Sequence, residues 1–337
     1  MQTHLCTIIW LRLTAVCAAF LAPALLVHAQ TPSPALLVLE KDDERLDIVD
    51  PASLTIVGRV PSGGGPHEVV ASSDGKFAYI SNYMTQQGPF RTISVVDLAA
   101  QKALPPVDLG ALRGPHGLAF ADGKVYFTAE INKVIGRYDP ASKQLDWVLG
   151  TGQNVTHMVA VSSDLKRIFT SNIGSDTICE IEPGSGRSGW NVTAIPVGKG
   201  PEGFDLSPDG KEVWSANSGD GTVSIIDAST KKMTQTVDVK TKHSNRLKFT
   251  PDGKLALISD PPAGELVIVD VASRTVRKRL AVGKDPEGTL VQPDGAKAYV
   301  ALSGDNAVAV VDLKTLEVTT RLKTGKDPDG LAWAERK

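Results

Sequence analysis

Cysteine is scarce in this sequence of 337 residues, which contains only three. Cys6 and Cys17 lie in an N-terminal segment that we expect to be removed, so Cys179 alone remains. No intramolecular disulfide is therefore expected. The run DTICEI around Cys179 favours a small buried apolar side chain over a nucleophile. Contacts of the chain itself must therefore close the domain.

An excess of one charge is also lacking, since 36 Lys and Arg residues stand against 38 Asp and Glu residues, a formal net charge of −2. The absence of a basic excess argues against nucleic-acid binding. Known catalytic signatures are missing too. The sequence has no HExxH, GxxxxGK[ST] or GxSxG, and no GxGxxG that opens a helix. It also has no CxxCH, so it cannot carry a covalent c-type haem.

The first 29 residues are predicted to be a secretory signal peptide. Arg12 is the one charge in an apolar stretch, and Val27-His28-Ala29 has the small residues of a cleavage site. An uncleaved membrane anchor is the alternative, but Pro23 interrupts the short run. We expect a periplasmic or secreted protein, with residues 30–35 as a linker and 36–335 as one domain. Beyond residue 29 no apolar run reaches the length of about 18 residues that a membrane span needs.

Internal repeats dominate the rest of the chain. Similar segments begin at residues 65, 114, 156, 200, 243, 285 and 327, about 44 residues apart. Each full copy contains four short runs of β-type residues, and most carry an Asp-Gly turn between the first two runs. Four antiparallel strands repeated at this interval are typical of a β-propeller blade.

The two ends of the chain complement each other. The last copy stops after its first strand, near Trp333, whereas the segment from Leu36 to Val60 lacks that strand but matches the other three. We therefore predict an all-β, seven-bladed propeller with four antiparallel strands per blade. Its last blade would be shared between the N- and C-termini, which closes the ring without a disulfide.

Variants of one four-residue motif follow the Asp-Gly turns: Tyr79-Ile80-Ser81-Asn82, Trp214-Ser215-Ala216-Asn217 and Tyr299-Val300-Ala301-Leu302. With these motifs the chain resembles the YVTN-repeat β-propeller family, the YncE-like exported proteins, over residues 35–335. The resemblance implies an exported seven-bladed propeller. The wider group includes lactonases, redox subunits and surface-layer proteins, so the resemblance is specific for the fold and not for an activity.

One polar position recurs at the start of each first strand. Its occupants in chain order are His67, His116, His157, Glu202, Asn245, Glu287 and Asp329. Three of the four histidines beyond residue 29 occupy this position. Imidazoles with carboxylates suit a divalent transition metal, so we predict a metal site of His67, His116, His157, Glu202, Glu287 and Asp329 at the channel mouth. Inheritance from one ancestral blade and acid–base chemistry are the alternatives.

Other candidate ligand-binding residues lie in neighbouring loops. Asn82 and Asn217, like Asn172 and Asp260, come just after second strands, where turn capping is the alternative role. The first blade has five extra residues, and Met84, Phe90 and Arg91 are predicted to form a flap over the mouth. Asn245 and Arg246 complete the candidates. Arg246 is the predicted anion contact, with a surface salt bridge as its alternative.

The leading functional hypothesis is an exported binding protein, without a membrane span after signal removal, that presents this ring to a small ligand or a protein partner. A metal-dependent hydrolase or lactonase-like enzyme using the same ring is the second hypothesis. The third is a redox accessory propeller that docks a cofactor-bearing partner. We expect a monomer that binds no nucleic acid.

Overall fold

The computed structural model describes residues 31–187 and 189–337. Over these ranges the chain forms 28 strands in seven four-stranded antiparallel sheets, which are the blades of a β-propeller. The predicted all-β, seven-bladed fold is confirmed. The signal peptide predicted for residues 1–29 lies outside the described residues.

The blades follow the sequence repeats. Blade 1 contains β4 (Pro66–Ala71), β5 (Phe77–Thr85), β6 (Gly88–Asp97) and β7 (Lys102–Asp108). Blade 2 contains β8 (Pro115–Ala121), β9 (Lys124–Ala129), β10 (Val134–Asp139) and β11 (Gln144–Gly150). Blade 3 contains β12 (Thr156–Val161), β13 (Ile168–Asn172), β14 (Thr177–Pro183) and β15 (Trp190–Pro196). Blade 4 contains β16 (Pro201–Leu206), β17 (Glu212–Asn217), β18 (Thr222–Asp227) and β19 (Lys232–Asp238).

Three more blades complete the ring. Blade 5 contains β20 (Leu247–Phe249), β21 (Leu255–Asp260), β22 (Glu265–Asp270) and β23 (Thr275–Ala281). Blade 6 contains β24 (Pro286–Val291), β25 (Lys297–Leu302), β26 (Ala307–Asp312) and β27 (Glu317–Lys323). Blade 7 contains β28 (Pro328–Ala334), β1 (Ala35–Glu40), β2 (Arg45–Asp50) and β3 (Thr55–Pro61). Single 3₁₀ turns follow four second strands, at Glu130–Asn132, Ile173–Ser175, Pro261–Ala263 and Ser303–Asp305.

Blade 7 joins the two ends of the described chain. Its sheet order is β28-β1-β2-β3, so the C-terminal strand is innermost and the three outer strands come from the N-terminal part. Leu36 pairs with Trp333 and Val38 with Leu331. Beyond the strands, the amide of Lys41 donates to the carbonyl of Asp327 at 2.9 Å. The predicted shared blade is confirmed.

The recurring Asp-Gly turn has a common local cause. In the copy Asp74-Gly75-Lys76, the Asp74 carboxylate accepts from the amide of Lys76 at 3.1 Å and from the hydroxyl of Ser72 at 2.6 Å. Gly75 adopts a φ of 66°, which an L side chain rarely adopts. Asp209 and Asp252 accept the equivalent amide bonds in blades 4 and 5.

The apolar core lies between neighbouring blades. Second and third strands are buried almost throughout, and their large side chains meet those of the next blade. Trp214 of blade 4, for example, stacks edge-on against Phe249 of blade 5 with ring centroids 5.3 Å apart. Cys179 is fully buried in this core, as its flanking sequence predicts. Among the described residues, no helix has the length and apolar character needed to span a bilayer.

One face of the ring gathers two kinds of loop. The leading loop of a blade precedes its first strand, and the middle loop connects its second and third strands. Backbone bonds join them within each blade, such as Tyr83 to Gly65, Glu130 to Gly114 and Ser218 to Gly200. We call this the mouth face. The turns between first and second strands lie on the opposite face.

Removal of residues 328–337 deletes the innermost strand of blade 7 and leaves one edge of β1 unpaired. Because Leu36, Leu37 and Val38 are fully buried against it, we expect the truncated protein to lose its cooperative thermal transition. Circular dichroism on heating measures this. Deletion of residues 335–337, which follow β28, is the control and leaves a cooperative transition. Similar melting of the longer truncation and the full chain would contradict the closure.

Candidate functional site

The first strands share a bulge that aims the recurring polar side chain. In blade 1, Pro66 pairs with Asn82 and Val69 with Ile80, so the first strand carries one extra residue. Blades 2, 3, 4, 6 and 7 show the same shift. A bulge redirects the side chain of the extra residue. In each of these six blades, the bulge therefore turns the side chain of the predicted ring residue towards the channel mouth.

A hydroxyl clamp fixes the bulge and ties neighbouring blades together. The Oγ1 of Thr128 accepts from the amide of Gly117 at 2.9 Å and donates to the carbonyl of His157 in the next blade at 2.6 Å. Ser171 bonds in the same way to Met158 and Glu202. Each hydroxyl thus positions the backbone of two adjacent ring residues.

The three predicted histidines come together on one arc of the mouth. The ring centroids of His67 and His116 are 4.3 Å apart, and those of His116 and His157 are 3.7 Å apart. His116 and His157 are buried, at 1% and 7% exposure. The phenol ring of Tyr83 packs against His67 and His116 at 5.3 and 4.8 Å. With Glu130, these residues form what we call the histidine cluster.

Glu130 organises one end of this cluster. Its Oε1 lies 2.5 Å from Nδ1 of His157, and its Oε2 accepts the hydroxyl of Tyr83. Because a carboxylate only accepts, a proton of His157 lies on Nδ1. Nε2 of His157 and Nδ1 of His116 are buried and have no hydrogen-bond partner among the described residues.

Burial keeps the imidazoles of His67 and His116 uncharged. It lowers the pKa of His67 to about 3, against a smaller opposing effect of Asp329. Burial and the neighbouring His157 and His67 hold the pKa of His116 well below its usual value. Burial and the bond to Glu130 raise the pKa of Tyr83. Neutral imidazole nitrogens are the form that binds metal ions.

The remaining carboxylates of the predicted ring are divided between two environments. Glu202 lies beside the histidine cluster, with Oε1 4.0 Å from Nε2 of His157. It also accepts from Nδ2 of Asn245 at 2.9 Å. Glu287 and Asp329 instead contact Nζ of Lys41, at 2.9 and 3.3 Å. They therefore belong to a group of internal ion pairs, which adjoins the histidine cluster where Oδ2 of Asp329 lies 3.6 Å from Nε2 of His67.

This ion-pair cluster consists of Lys41, Glu68, Arg246, Glu287 and Asp329. Burial alone would lower the pKa of Lys41, but the carboxylates of Asp329 and Glu287 raise it above its usual value. Burial also opposes ionisation of Asp329, yet Lys41, His67 and Arg246 hold its pKa far below the usual range. Burial, with Asp329 nearby, raises the pKa of Glu287 to about 7. Both cations of this cluster are thus already paired with carboxylates of the protein.

Arg246 reaches across the channel. Its Nη2 bonds to Oε1 of Glu68 in blade 1, three blades away around the ring, and lies 4.0 Å from Oδ1 of Asp329. The side chain is buried. A cavity of about 360 Å³, which polar and apolar side chains line together, continues along the channel behind this pair. The guanidinium of Arg246 thus pairs with an internal carboxylate, and the anion contact at Arg246 stays a prediction. The salt bridge is a buried one.

The asparagines after the second strands have internal partners. Nδ2 of Asn82 donates to the carbonyl of Ser62 at 2.8 Å. Nδ2 of Asn217 donates to the hydroxyls of Thr222 and Ser224 at 2.8 and 3.0 Å. Both amides are buried. These bonds correspond to the structural alternative for Asn82 and Asn217, and we do not include the two residues in the site.

The extra residues of blade 1 lengthen the β5–β6 hairpin. Met84 pairs with Pro89 at its tip, and the ring of Phe90 packs on the backbone of Gly64. Arg91 is half exposed and pairs with Asp108 at 3.4 Å. The predicted flap is thus an extended hairpin. Its contribution to the site is Tyr83, since Arg91 points to Asp108 instead.

Tyr83, Glu130 and Lys41 are residues of the candidate site that the sequence reasoning missed. Glu130 and Lys41 directly follow second strands, whereas Tyr83 lies within the longer β5. The amide of each donates to the carbonyl of a leading-loop residue, at Gly114, Asp327 and Gly65 respectively. The predicted asparagines lie one position earlier and point into the blade. An alignment of the repeats that considered the next residue would have identified these three side chains.

His116, Glu130 and His157 form a group that can hold a metal ion. One ligand atom from each lies within 4.8 Å of the other two, and all three residues are buried. Two imidazoles and a carboxylate are a donor set typical of zinc and other first-row transition metals. The described residues thus contain a compact part of the predicted ring, completed by the unpredicted Glu130.

Comparison with known proteins agrees with the architecture. A family model described as YNCE-like beta-propeller matches residues 153–332, which is more than half of the chain. The protein belongs to this family. No curated protein matches the sequence significantly.

Several solved structures share the fold. A putative 6-phosphogluconolactonase from Bacteroides uniformis is 18% identical, with a TM-score of 0.72 over 90% of this chain and 99% of that chain. Hydrazine synthase of Kuenenia stuttgartiensis is 18% identical, with a TM-score of 0.72 over 86% of this chain and 98% of that chain. A functionally unknown protein from Desulfotomaculum acetoxidans is 11% identical, with a TM-score of 0.74 over 90% and 99%. At these identities the similarity establishes the fold alone.

The buried histidines should resist protonation. We expect the rings of His67 and His116 to stay neutral at pH 5, because burial lowers both pKa values. The folded state then binds fewer protons than the unfolded chain below pH 6.5, so these groups remove stability as the pH falls from about 6.5 towards 3. Long-range ¹H–¹⁵N NMR spectra report each ring. Protonation of both rings near pH 6.5 would show a hydrated cluster and contradict this.

Proposed function

We propose that the protein is an exported binding propeller that holds one divalent first-row transition metal ion in the histidine cluster at its mouth face. Export rests on the signal peptide expected at residues 1–29. The observation that carries the metal site is the pair of buried, unpartnered imidazole nitrogens on His116 and His157. A buried polar atom without a partner costs free energy, and a bound ion would supply the missing interaction.

The contacts support different roles for the two carboxylates. Glu130 holds the Nδ1 side of His157, so it orients the ring in the manner of carboxylates behind metal-bound histidines. Oε1 of Glu202 lies 4.0 Å from the free Nε2. Two ligands on one ion, each about 2.0–2.2 Å away, are separated by up to about 4.2 Å. Glu202 is therefore the carboxylate placed to join His116 and His157 around the ion.

A metal-dependent hydrolase would use the same residues and remains the second hypothesis from the sequence. The putative 6-phosphogluconolactonase from Bacteroides uniformis shares only the fold at 18% identity. No other observation favours hydrolysis over binding. The redox accessory hypothesis likewise has no specific contact in its support. We therefore place metal binding first.

Elemental analysis of the natively exported protein, purified without chelator, tests the site. We expect about one equivalent of a transition metal. The double variant His116→Ala, His157→Ala should lose it, because both nitrogen donors are removed. A protein without metal, or a double variant that keeps its full equivalent, would overturn the proposal.

Two glutamine variants test whether the metal site includes Glu130, which the structure adds, and leaves out Glu287, which the sequence predicts. Glu130→Gln should weaken metal binding about 10- to 100-fold, the usual effect of removing a carboxylate behind a metal-bound histidine. Glu287→Gln is the matched control, since Glu287 contacts Lys41 and not the histidine cluster, and its metal affinity should change less than about twofold. Competition with a chromophoric chelator measures both affinities. Equal losses in the two variants would contradict the assignment.

A further inference from the structure

Basic side chains lie in the leading loops of five blades on the mouth face. The position two residues before each repeat's first-strand proline, or its equivalent, holds a basic residue in five blades: Arg113, Lys199, Lys242, Lys284 and Lys326. All five side chains are exposed. The four lysines belong to the leading loops of the consecutive blades 4, 5, 6 and 7. We call these four residues the cationic arc.

The backbone at these positions is held by a repeated bond. The amide of Lys199 donates to Asp220 at 2.7 Å, that of Lys242 to Asp260 at 2.9 Å, and that of Lys284 to Asp305 at 2.9 Å. Asp43 accepts the amide of Lys326 in the same way. The middle loops thus fix the backbone from which each of the four lysines leaves the surface.

The ammonium groups themselves are unpaired. Among the described residues, no side chain of the cationic arc has a salt-bridge or hydrogen-bond partner. Lysines on the opposite face differ. Lys76, Lys211 and Lys254 each pair with the aspartate of their own turn, at 3.1 to 3.2 Å. The four lysines of the cationic arc are therefore unpaired, in contrast to these three turn lysines.

Exposed apolar side chains occupy the other side of the mouth face. Met84, Ile131 and Val155 are 37%, 54% and 37% exposed and come from the consecutive blades 1, 2 and 3. Met84 follows Tyr83 directly, Ile131 follows Glu130 directly, and Val155 lies two residues before His157. These three residues, which we call the apolar arc, therefore flank the histidine cluster at the surface.

The dimensions favour a macromolecular partner. Packed sheets lie about 10 Å apart, so seven blades give a ring about 70 Å in circumference and about 22 Å across. Lysines from four blades are too widely spread for one small anion to reach. A large complementary surface can contact them together. Apolar side chains beside a charged margin are the usual composition of a protein–protein interface.

We propose that the mouth face docks a protein whose surface carries an apolar patch beside an acidic patch. The acidic patch meets the cationic arc, and the apolar patch covers the apolar arc above the histidine cluster. Asp43, Asp220 and Asp305 stand among the lysines, which suits a complementary protein surface and disfavours a uniformly anionic bilayer. The apolar arc also lacks the aromatic side chains typical of membrane-surface segments.

Site-specific photo-crosslinking in the producing cells identifies the partner. The full chain carries benzoylphenylalanine in place of Val155 on the mouth face, or in place of Leu165, which is 49% exposed on the opposite face. We expect one protein to be crosslinked from the Val155 position and not from the Leu165 position. Mass spectrometry should place the crosslink next to an acid-rich segment of that protein.

Binding of the purified partner then measures the two arcs. The variant Lys199→Gln, Lys242→Gln, Lys284→Gln, Lys326→Gln should slow association at low salt about tenfold or more. The control Lys76→Gln, Lys166→Gln, Lys211→Gln, Lys254→Gln has the same charge change on the opposite face and should alter association less than twofold. Serine at Met84, Ile131 and Val155 should speed dissociation about tenfold. Thermal unfolding confirms that all variants are folded.

Four results would overturn the proposal. One is the absence of a partner crosslinked from the mouth face. Another is crosslinking of a second copy of this chain instead. The third is equal slowing by the two lysine variants. The fourth is binding of the protein to phosphatidylglycerol vesicles that depends on the four mouth-face lysines, which would assign the face to a membrane. Because the binding measurements use the arcs alone, they can be repeated in the metal-free His116→Ala, His157→Ala protein, which separates docking from metal binding.

Discussion

The close contact of neighbouring first strands is the constraint on which the site depends. Seven such strands surround one narrow channel, and a Cβ on Gly117 would lie 2.5 Å from the carbonyl oxygen of His157 in the next blade. The bulge and the hydroxyl of Thr128 hold both backbones at that distance. The backbones so held bring the side chains of His116 and His157 together, with ring centroids 3.7 Å apart. Pre-organisation of this kind favours an ion that binds two imidazole nitrogens.

The interior of the mouth is electrostatically divided. On one side, both cations, Lys41 and Arg246, are paired with the carboxylates of Glu68, Glu287 and Asp329. On the other side, burial keeps the imidazoles of His67 and His116 neutral. One nitrogen of His116 and one of His157 have no hydrogen-bond partner among the described residues. The first side closes the channel between distant blades. The second side is where a ligand would find unsatisfied groups. This division explains why one repeated position supplies both structural and candidate binding residues.

The sequence was sufficient for the fold because the repeat is carried by local chemistry. Asp-Gly turns, alternating strands and the complementary ends predict the blades and the closing strand, and all of these are present. It also predicts that His67, His116 and His157 converge. It could not separate Glu202 from Glu287, since that depends on Lys41 from the other end of the chain. Glu130 and Tyr83 were missed because the copies were aligned one residue too early at the ends of the second strands. The pairing of Arg246 with Glu68 could not be predicted, because Glu68 lies across the channel.

The central claim is that the histidine cluster is a metal centre. Anomalous diffraction above and below the absorption edge of the metal, on crystals of the natively exported protein, tests it most directly. The account predicts one strong peak within about 2.0–2.2 Å of Nε2 of His157 and of Nδ1 of His116. A map without a peak at the mouth, or with its strongest peak beside Glu287 and Asp329, would contradict the account.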